Sequence, residues 1–149
     1  MNPSLASKLA KYCAYQERCT HEVWVKLKSY KASREECEKV VQWLKENAYV
    51  DDKRYAFAFV RGKFHTNKWG RIKIRYHLVH KKIAASLIDE ALHTIPQDQY
   101  LAQLETLWEK KSQSTTGRNR DEINHKIIRS LITKGYEPEL IKQCMLNLT

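Results

Sequence analysis

At 149 residues, 42% hydrophobic and 30% charged, the chain has the length of one domain or a short array of small units, with enough apolar residues for a core. No apolar run approaches the roughly 20 residues needed to cross a bilayer as a helix, so no membrane-spanning helix is expected. The formal net charge of +10, from 27 Lys and Arg against 17 Asp and Glu, points to polyanions or acidic protein surfaces as partners.

Only 4 Gly and 3 Pro occur, which predicts helices with brief connections rather than strands and turns. The first 50 residues open on an aromatic-rich helix from Leu5 to Tyr15. A helix–turn–helix follows, with apolar positions at Val23, Leu27, Ala32, Cys37, Val40 and Val41. Its turn is Tyr30-Lys31-Ala32-Ser33, and Ser33 with Glu36 reads as a capping box. Residues 51–95 repeat the plan, with a helix from Arg54 to Phe64, then Ile74, Leu78, Ile83, Ile88, Ala91 and Leu92 around the turn Lys81-Lys82-Ile83-Ala84. Residues 96–149 repeat it again, with a helix from Tyr100 to Lys111, a polar and mobile loop from Ser112 to Arg120, then Ile127, Leu131, Tyr136, Ile141, Cys144 and Met145. In this third turn Gly135 suits a left-handed helix end, and Pro138 suits the first turn of the next helix.

Anchored on Leu27, Leu78 and Leu131, the three segments align without gaps. The expectation is an all-α fold of three tandem three-helix, helix-turn-helix-like repeats at 1–50, 51–95 and 96–149. Each is too small to bury its apolar face alone, so they would stack into an elongated array, open to curvature. On the helix from Gly70 to Lys81, Ile72, Tyr76 and Val79 form one apolar stripe and Ile74 with Leu78 a second. Two stripes predict two packing neighbours, with both apolar sides covered. Basic side chains would then face outward.

From Lys53 to Lys82 no Asp or Glu occurs, while Lys and Arg recur throughout, interleaved with Phe57, Phe59, Phe64, Trp69 and Tyr76. Mixed-charge runs usually only solvate a helix, but one of this length without an acid reads as a binding surface. The residues predicted to make contact are Arg61, Lys63, Lys68, Arg71, Lys73, Arg75, Lys81 and Lys82, through charge-assisted hydrogen bonds. Trp69 reads as core in preference to a stacking platform. Asp51 or Asp52 reads as the cap of the helix entering the second repeat rather than as an acid–base pair. No nucleophile or glycine-rich phosphate loop accompanies them, so no enzyme and no cofactor are predicted. Cys13, Cys19, Cys37 and Cys144 form no C-x-x-C pair and are expected as reduced, partly buried thiols. His77 and His80, three apart on one helix, lack further ligands, so no metal is predicted. Lys8 and Lys11 precede no apolar segment, and the expectation is an unprocessed chain in the cytoplasm.

The stretch Ala48-Tyr49-Val50-Asp51-Asp52-Lys53-Arg54-Tyr55-Ala56 resembles the signature joining the first two units of RecX, the bacterial regulator of the recombinase RecA. Gly70-Arg71-Ile72-Lys73, Leu78 and Lys81-Lys82-Ile83 resemble that family's second-unit motif, and Leu131 to Tyr136 its third; Glu22 to Leu27 falls where the first-unit pattern lies. The likeness runs from about Leu5 to Met145. Lys82 stands where the family often has glycine, and Gln16 to Cys19 where it often has a proline-containing basic stretch. The resemblance implies a negative modulator of RecA that lies along the RecA filament on single-stranded DNA and restrains its recombinase, ATPase and coprotease activities; the chain is expected to be a monomer. Single-stranded DNA would be met directly or through the filament. The alternative is a stand-alone basic helical module that places a helix in a DNA groove.

Overall fold

A computed structural model describes residues 1–148, which form nine helices and no strand among the described residues. The helices are α1 (Pro3–Tyr15), α2 (Thr20–Ser29), α3 (Arg34–Glu46), α4 (Asp52–His65), α5 (Arg71–His80), α6 (Ala85–His93), α7 (Gln97–Ser114), α8 (Arg120–Thr133) and α9 (Pro138–Leu148). Taken in threes they are the three repeats read from the sequence. None is long and apolar enough to cross a membrane. By compactness the chain divides into two units. The first holds residues 1–59 and 78–91; the second holds 60–77 and 92 onward.

The gap-free alignment reappears in burial. Of the aligned apolar positions all are buried except Ala32 and Met145, which are half-buried. The turns agree to the residue. Four positions after each anchor leucine the backbone enters the left-handed region, at Lys31 (φ 57°), Lys82 (φ 59°) and Gly135 (φ 102°). Each donates its N–H three residues back: Lys31 to Lys28 O at 3.0 Å, Lys82 to Val79 O at 3.0 Å and Gly135 to Ile132 O at 2.9 Å. The next N–H reaches the anchor itself in the second and third turns, Ile83 to Leu78 O at 3.2 Å and Tyr136 to Leu131 O at 3.1 Å. These pairs satisfy carbonyls that a helix end would otherwise orphan.

In the first unit α1, α2 and α3 pack around Leu9, Leu27 and Leu44, which are inaccessible to solvent. Burying side chains of this size contributes about 1.5–3 kcal/mol each. Asn2 caps α1 by accepting from Ser4 N–H and Leu5 N–H. Ser33 caps α3, accepting from Glu36 N–H at 3.1 Å, but the Glu36 carboxylate accepts from Asn2 N–H rather than closing the box on Ser33. Asp51 is the cap of α4, accepting from Arg54 N–H at 3.1 Å, whereas Asp52 accepts from Thr20 N–H at 2.7 Å at the start of α2. The paired carboxylates thus serve two different helix N-termini.

In the second unit α7 packs on α8 and α9 through Tyr100, Leu104 and Trp108, a buried stripe at four-residue spacing. Tyr100 stacks between Phe64 (6.0 Å between ring centres) and Tyr136 (5.3 Å). The turn after α8 meets the loop before α5 backbone to backbone, Gly70 N–H donating to Lys134 O at 2.9 Å and Ile72 N–H to Gly135 O at 3.0 Å. A Cβ on Gly70 would lie 2.3 Å from the carbonyl carbon and oxygen of Gly135, so only glycine permits the approach.

Two expectations are corrected. Helix α7 runs on to Ser114, so the connection to α8 is residues 115–119 rather than 112–120; Lys126 Nζ donates to Thr116 O at 2.7 Å and Asn119 caps α8 through Glu122 N–H at 2.9 Å. On α5 only the Ile74 and Leu78 side is covered. Ile72, Tyr76 and Val79 are 51%, 60% and 52% exposed. The repeat explains it: Val25 and Ile132, which align with Tyr76 and Val79, are also more than 40% exposed, so this side of the second helix meets solvent in each repeat.

Candidate polyanion-binding site

In the second unit the loop after α4 passes through a left-handed residue, Lys68 (φ 60°), with Trp69 N–H donating back to Lys63 O at 3.0 Å. The turn sets the Trp69 indole, half-buried, against the first turn of α5. Lys63 Nζ lies 4.7 Å and Lys73 Nζ 4.5 Å from the centre of the indole, and the His77 ring 4.7 Å from it. Each cation–π contact contributes about 0.5–1 kcal/mol at a partly exposed site. Trp69 is therefore neither plain core nor an open stacking platform; it gathers two lysines.

The Lys68 carbonyl accepts from Tyr136 Oη at 2.9 Å, and Tyr136 Oη in turn accepts from Gln103 Nε2 at 2.8 Å. This ties the lysine-bearing loop to α7 and to the turn after α8. Folding brings in lysines that the acid-free stretch does not contain. Burial holds the Lys134 ammonium below the usual lysine range, and like charge from Lys111, Lys73, Lys110 and Lys68 pushes the same way. Five lysines from four places in the chain thus share one neighbourhood. Lys110 and Lys111 ride the last turns of α7 and Lys134 caps α8, ends where the helix dipole favours cations. The sequence does not single them out, because the third repeat is nearly charge-balanced and no acid-free run marks them.

The other predicted residues divide. Arg61 and Arg75, in the second unit, are exposed. Arg71 is committed internally: it donates to Gln97 Oε1 at 2.7 Å and Glu137 Oε2 at 3.4 Å, and its guanidinium lies 3.7 Å from the Tyr100 ring centre. Its N–H donates to Tyr100 Oη at 3.0 Å, and that hydroxyl donates to Glu137. Burial, then the hydrogen bond to Glu137, pushes the Tyr100 hydroxyl far above its ordinary value. Arg71 thus fixes the start of α5 to α7 and to Glu137, the residue before α9. Lys81 and Lys82 belong to the first unit. Lys81 pairs with Glu22 at 3.4 Å, where Glu22 also accepts from Cys19 N–H at 3.1 Å. Lys82 is exposed and lines a concavity beside α2.

Among the described residues no three His, Cys, Asp or Glu gather to hold a metal. The four thiols are free and buried. Burial pushes Cys19 and Cys144 up to about 11 and raises Cys13 as well, which keeps these three protonated and unreactive near neutral pH.

Residues 51–92 match the second three-helix domain of RecX and residues 97–145 the third. The chain is 29% identical over 136 residues to the regulatory protein RecX of Geobacillus sp. (strain WCH70), covering 91% of this chain and 50% of that one. It is 30% identical over 140 residues to the regulatory protein RecX of Clostridium tetani (strain Massachusetts / E88), covering 93% and 64%. The chain therefore spans about half to two thirds of the length of these curated relatives. Among solved structures, RecX from Lactobacillus salivarius matches with a TM-score of 0.87 and 26% identity over 97% of this chain and 94% of that one. Another crystal structure of regulatory protein RecX matches with the same score and identity over 95% and 71%. Matched in its second and third three-helix domains, and along most of its length by curated relatives and solved structures, the chain belongs to the RecX family.

Proposed function

We propose that this protein is a negative modulator of the RecA recombinase. It binds the RecA filament on single-stranded DNA and restrains its recombinase, ATPase and coprotease activities in DNA repair and recombination. It acts in the cytoplasm as a monomer, without enzymatic activity, cofactor or metal, through repeats at 1–50, 51–95 and 96–149. Family membership supports the regulatory role. The observation that carries the mode of binding is the meeting of the segments that bear Lys68, Lys73 and Lys134, where Gly70 N–H donates to Lys134 O at 2.9 Å, Gly135 abuts Lys73 and Tyr136 Oη donates to Lys68 O at 2.9 Å, with the charges of Lys110 and Lys111 felt at Lys134.

Such a cluster is unfavourable in the isolated protein, since like charges repel. A phosphate chain or a row of carboxylates relieves that repulsion and adds charge-assisted hydrogen bonds. Lys63, Arg61 and Arg75 extend the same basic character. Arg71 and Lys81 are better read as structural, because Glu137 and Glu22 already answer their charges.

The test is DNA-dependent ATP hydrolysis by RecA with and without this protein. Inhibition by the natural chain is expected. The triple variant Lys68→Glu, Lys110→Glu, Lys111→Glu should inhibit at least tenfold less effectively at unchanged helicity; a tenfold change corresponds to about 1.4 kcal/mol. No effect of the natural chain on RecA would overturn the regulatory reading, and full inhibition by the variant would remove the lysine cluster from it. Tight, sequence-selective binding to duplex DNA without RecA would replace it with a stand-alone DNA-binding module.

A further inference from the structure

Lys134 is a half-buried lysine held among lysines. Its backbone closes α8, the N–H donating to Ser130 O at 3.0 Å and the carbonyl accepting from Gly70 N–H at 2.9 Å. The next residue, Gly135, abuts Lys73, since a Cβ on it would lie 2.4 Å from the Cβ of Lys73. One residue further, Tyr136 Oη donates to Lys68 O at 2.9 Å. Lys68, Lys73 and Lys134 are thus drawn together by backbone contacts and a tyrosine hydrogen bond that owe nothing to their charges. Lys110 and Lys111, on the last turns of α7, add theirs.

Among the described residues none of these five lysines makes an ion pair with a carboxylate. Lys81 shows what the cluster lacks. It is half-buried as Lys134 is, but the Glu22 carboxylate lies 3.4 Å from its ammonium. At Lys134 burial first, and then like charge, disfavours the ammonium and holds it below the usual lysine range. The free amine is the nucleophilic form of lysine, and cationic neighbours of this kind activate it. The neighbours that disfavour a proton on Lys134 also favour an anion beside it.

We propose that Lys134 is a covalent modification site, its side-chain amine taking the acyl group of an acyl phosphate whose phosphate is held by Lys68, Lys73, Lys110 and Lys111. The amine lone pair attacks the carbonyl carbon; the N–C amide bond forms and the C–O bond to phosphate breaks. Phosphate leaves with the bonding electron pair and takes up the proton that the nitrogen sheds. Negative charge grows on the leaving phosphate, where the surrounding ammonium groups stabilise it. An acyl phosphate carries its anionic group directly on the reacting carbonyl, so amine and cations engage it together. A thioester of a large carrier has no anion there and gains nothing from the cluster. The product amide is neutral, and the cluster loses one of its five charges. The consequence for RecA rests on the proposed function; the chemistry at Lys134 does not.

The experiment incubates the full chain with acetyl phosphate, without RecA, and follows each lysine by peptide mass spectrometry. Lys134 should acetylate about tenfold faster than Lys45 and Lys142, which are exposed and lie outside the cluster. Inorganic phosphate should slow Lys134 and leave the other two as they were. The N-hydroxysuccinimide ester of acetic acid, which is uncharged, should show a smaller preference for Lys134. The double variant Lys110→Gln, Lys111→Gln should remove most of the preference seen with acetyl phosphate, at unchanged helicity. Equal rates at Lys134, Lys45 and Lys142, or a preference no greater with acetyl phosphate than with the uncharged ester, would overturn the assignment. Inhibition of RecA is read separately: Lys134→Gln, the neutral counterpart of the acylated residue, should inhibit less than Lys134→Arg. Selective acetylation of a chain that leaves RecA untouched would sink the regulatory reading and not this one.

Discussion

The turn after α5 and the turn after α8 share one backbone course and differ in what fills it. At Lys82 and at Gly135 the chain takes the left-handed conformation four residues past an anchor leucine. At Gly135 a Cβ would sit 2.4 Å from the Cβ of Lys73 and 2.7 Å from its nitrogen, because the first turn of α5 is seated on the turn. Lys82 is exposed and carries its side chain into solvent. The fold demands the backbone conformation at both places, and the neighbour decides the residue. Where a second backbone arrives only glycine serves. Where none does, lysine stands at a conformational cost of about 1–2 kcal/mol, and a charge is gained at a helix end that favours it.

That contrast breaks most visibly at the glycines. Gly70→Ala and Gly135→Ala each force one backbone off another and should cost about 2–4 kcal/mol, read as a lowered urea midpoint. A loss below about 0.5 kcal/mol would mean that the two segments do not meet as described. Alkali should sharpen the comparison next. Cys19 Sγ lies 3.8 Å from Lys81 O, beside the turn after α5, and its thiol is pushed by burial from an ordinary 9.0 to about 11. The folded state then keeps a proton that the unfolded state gives up. The associated stability is fully present below pH 9.0 and is lost as pH rises through about 11. Its size is on the order of 2 kcal/mol. Tyr136 in the turn after α8 is held at about 12, by burial above all, so this turn should outlast the other. Urea midpoints across that range, against Cys19→Ala, check both statements; an alkaline slope identical in Cys19→Ala would refute the first.

Smaller again is Tyr136→Phe, which deletes the donor to Lys68 O and the acceptor from Gln103 Nε2. A loss of about 1–2 kcal/mol is expected, with weaker inhibition of RecA because the loop bearing Lys68 and Trp69 is no longer tied to the turn. Stability lost with inhibition intact would show that the loop's placement does not matter for binding.

What the sequence reveals and hides follows from how each feature is encoded. The repeat is legible because burial at fixed offsets from Leu27, Leu78 and Leu131 imposes apolar residues there, wherever the neighbours come from. The left-handed turns are legible only at Gly135, since lysine at positions 31 and 82 gives no hint of a positive φ. Lys68 and Lys73 stand out in a stretch free of acids, but Lys110, Lys111 and Lys134 join them only through the packing of α7 and α8. The same long-range pairing hides the commitments of Arg71 and Lys81, whose acidic partners lie 66 and 59 residues away. The stripe of Ile72, Tyr76 and Val79 is real as a pattern, yet a pattern carries no information about whether a neighbour covers it.

The finest test of the comparison is to give the second-repeat turn the residue of the third. Lys82→Gly removes a strained left-handed lysine, a gain of about 1–2 kcal/mol in the folded state, and lengthens the list of conformations open to the unfolded chain, a loss of about 0.4–1 kcal/mol. A net stabilisation of about 0.5–1 kcal/mol is expected in the urea midpoint. Lys31→Gly, at the equivalent turn of the first repeat (φ 57°), should gain the same amount for the same reason. The two variants should rise together in the urea midpoint, since both lysines are exposed and both backbones are left-handed. A destabilised Lys82→Gly would show that the lysine stem packs well enough to outweigh its backbone strain.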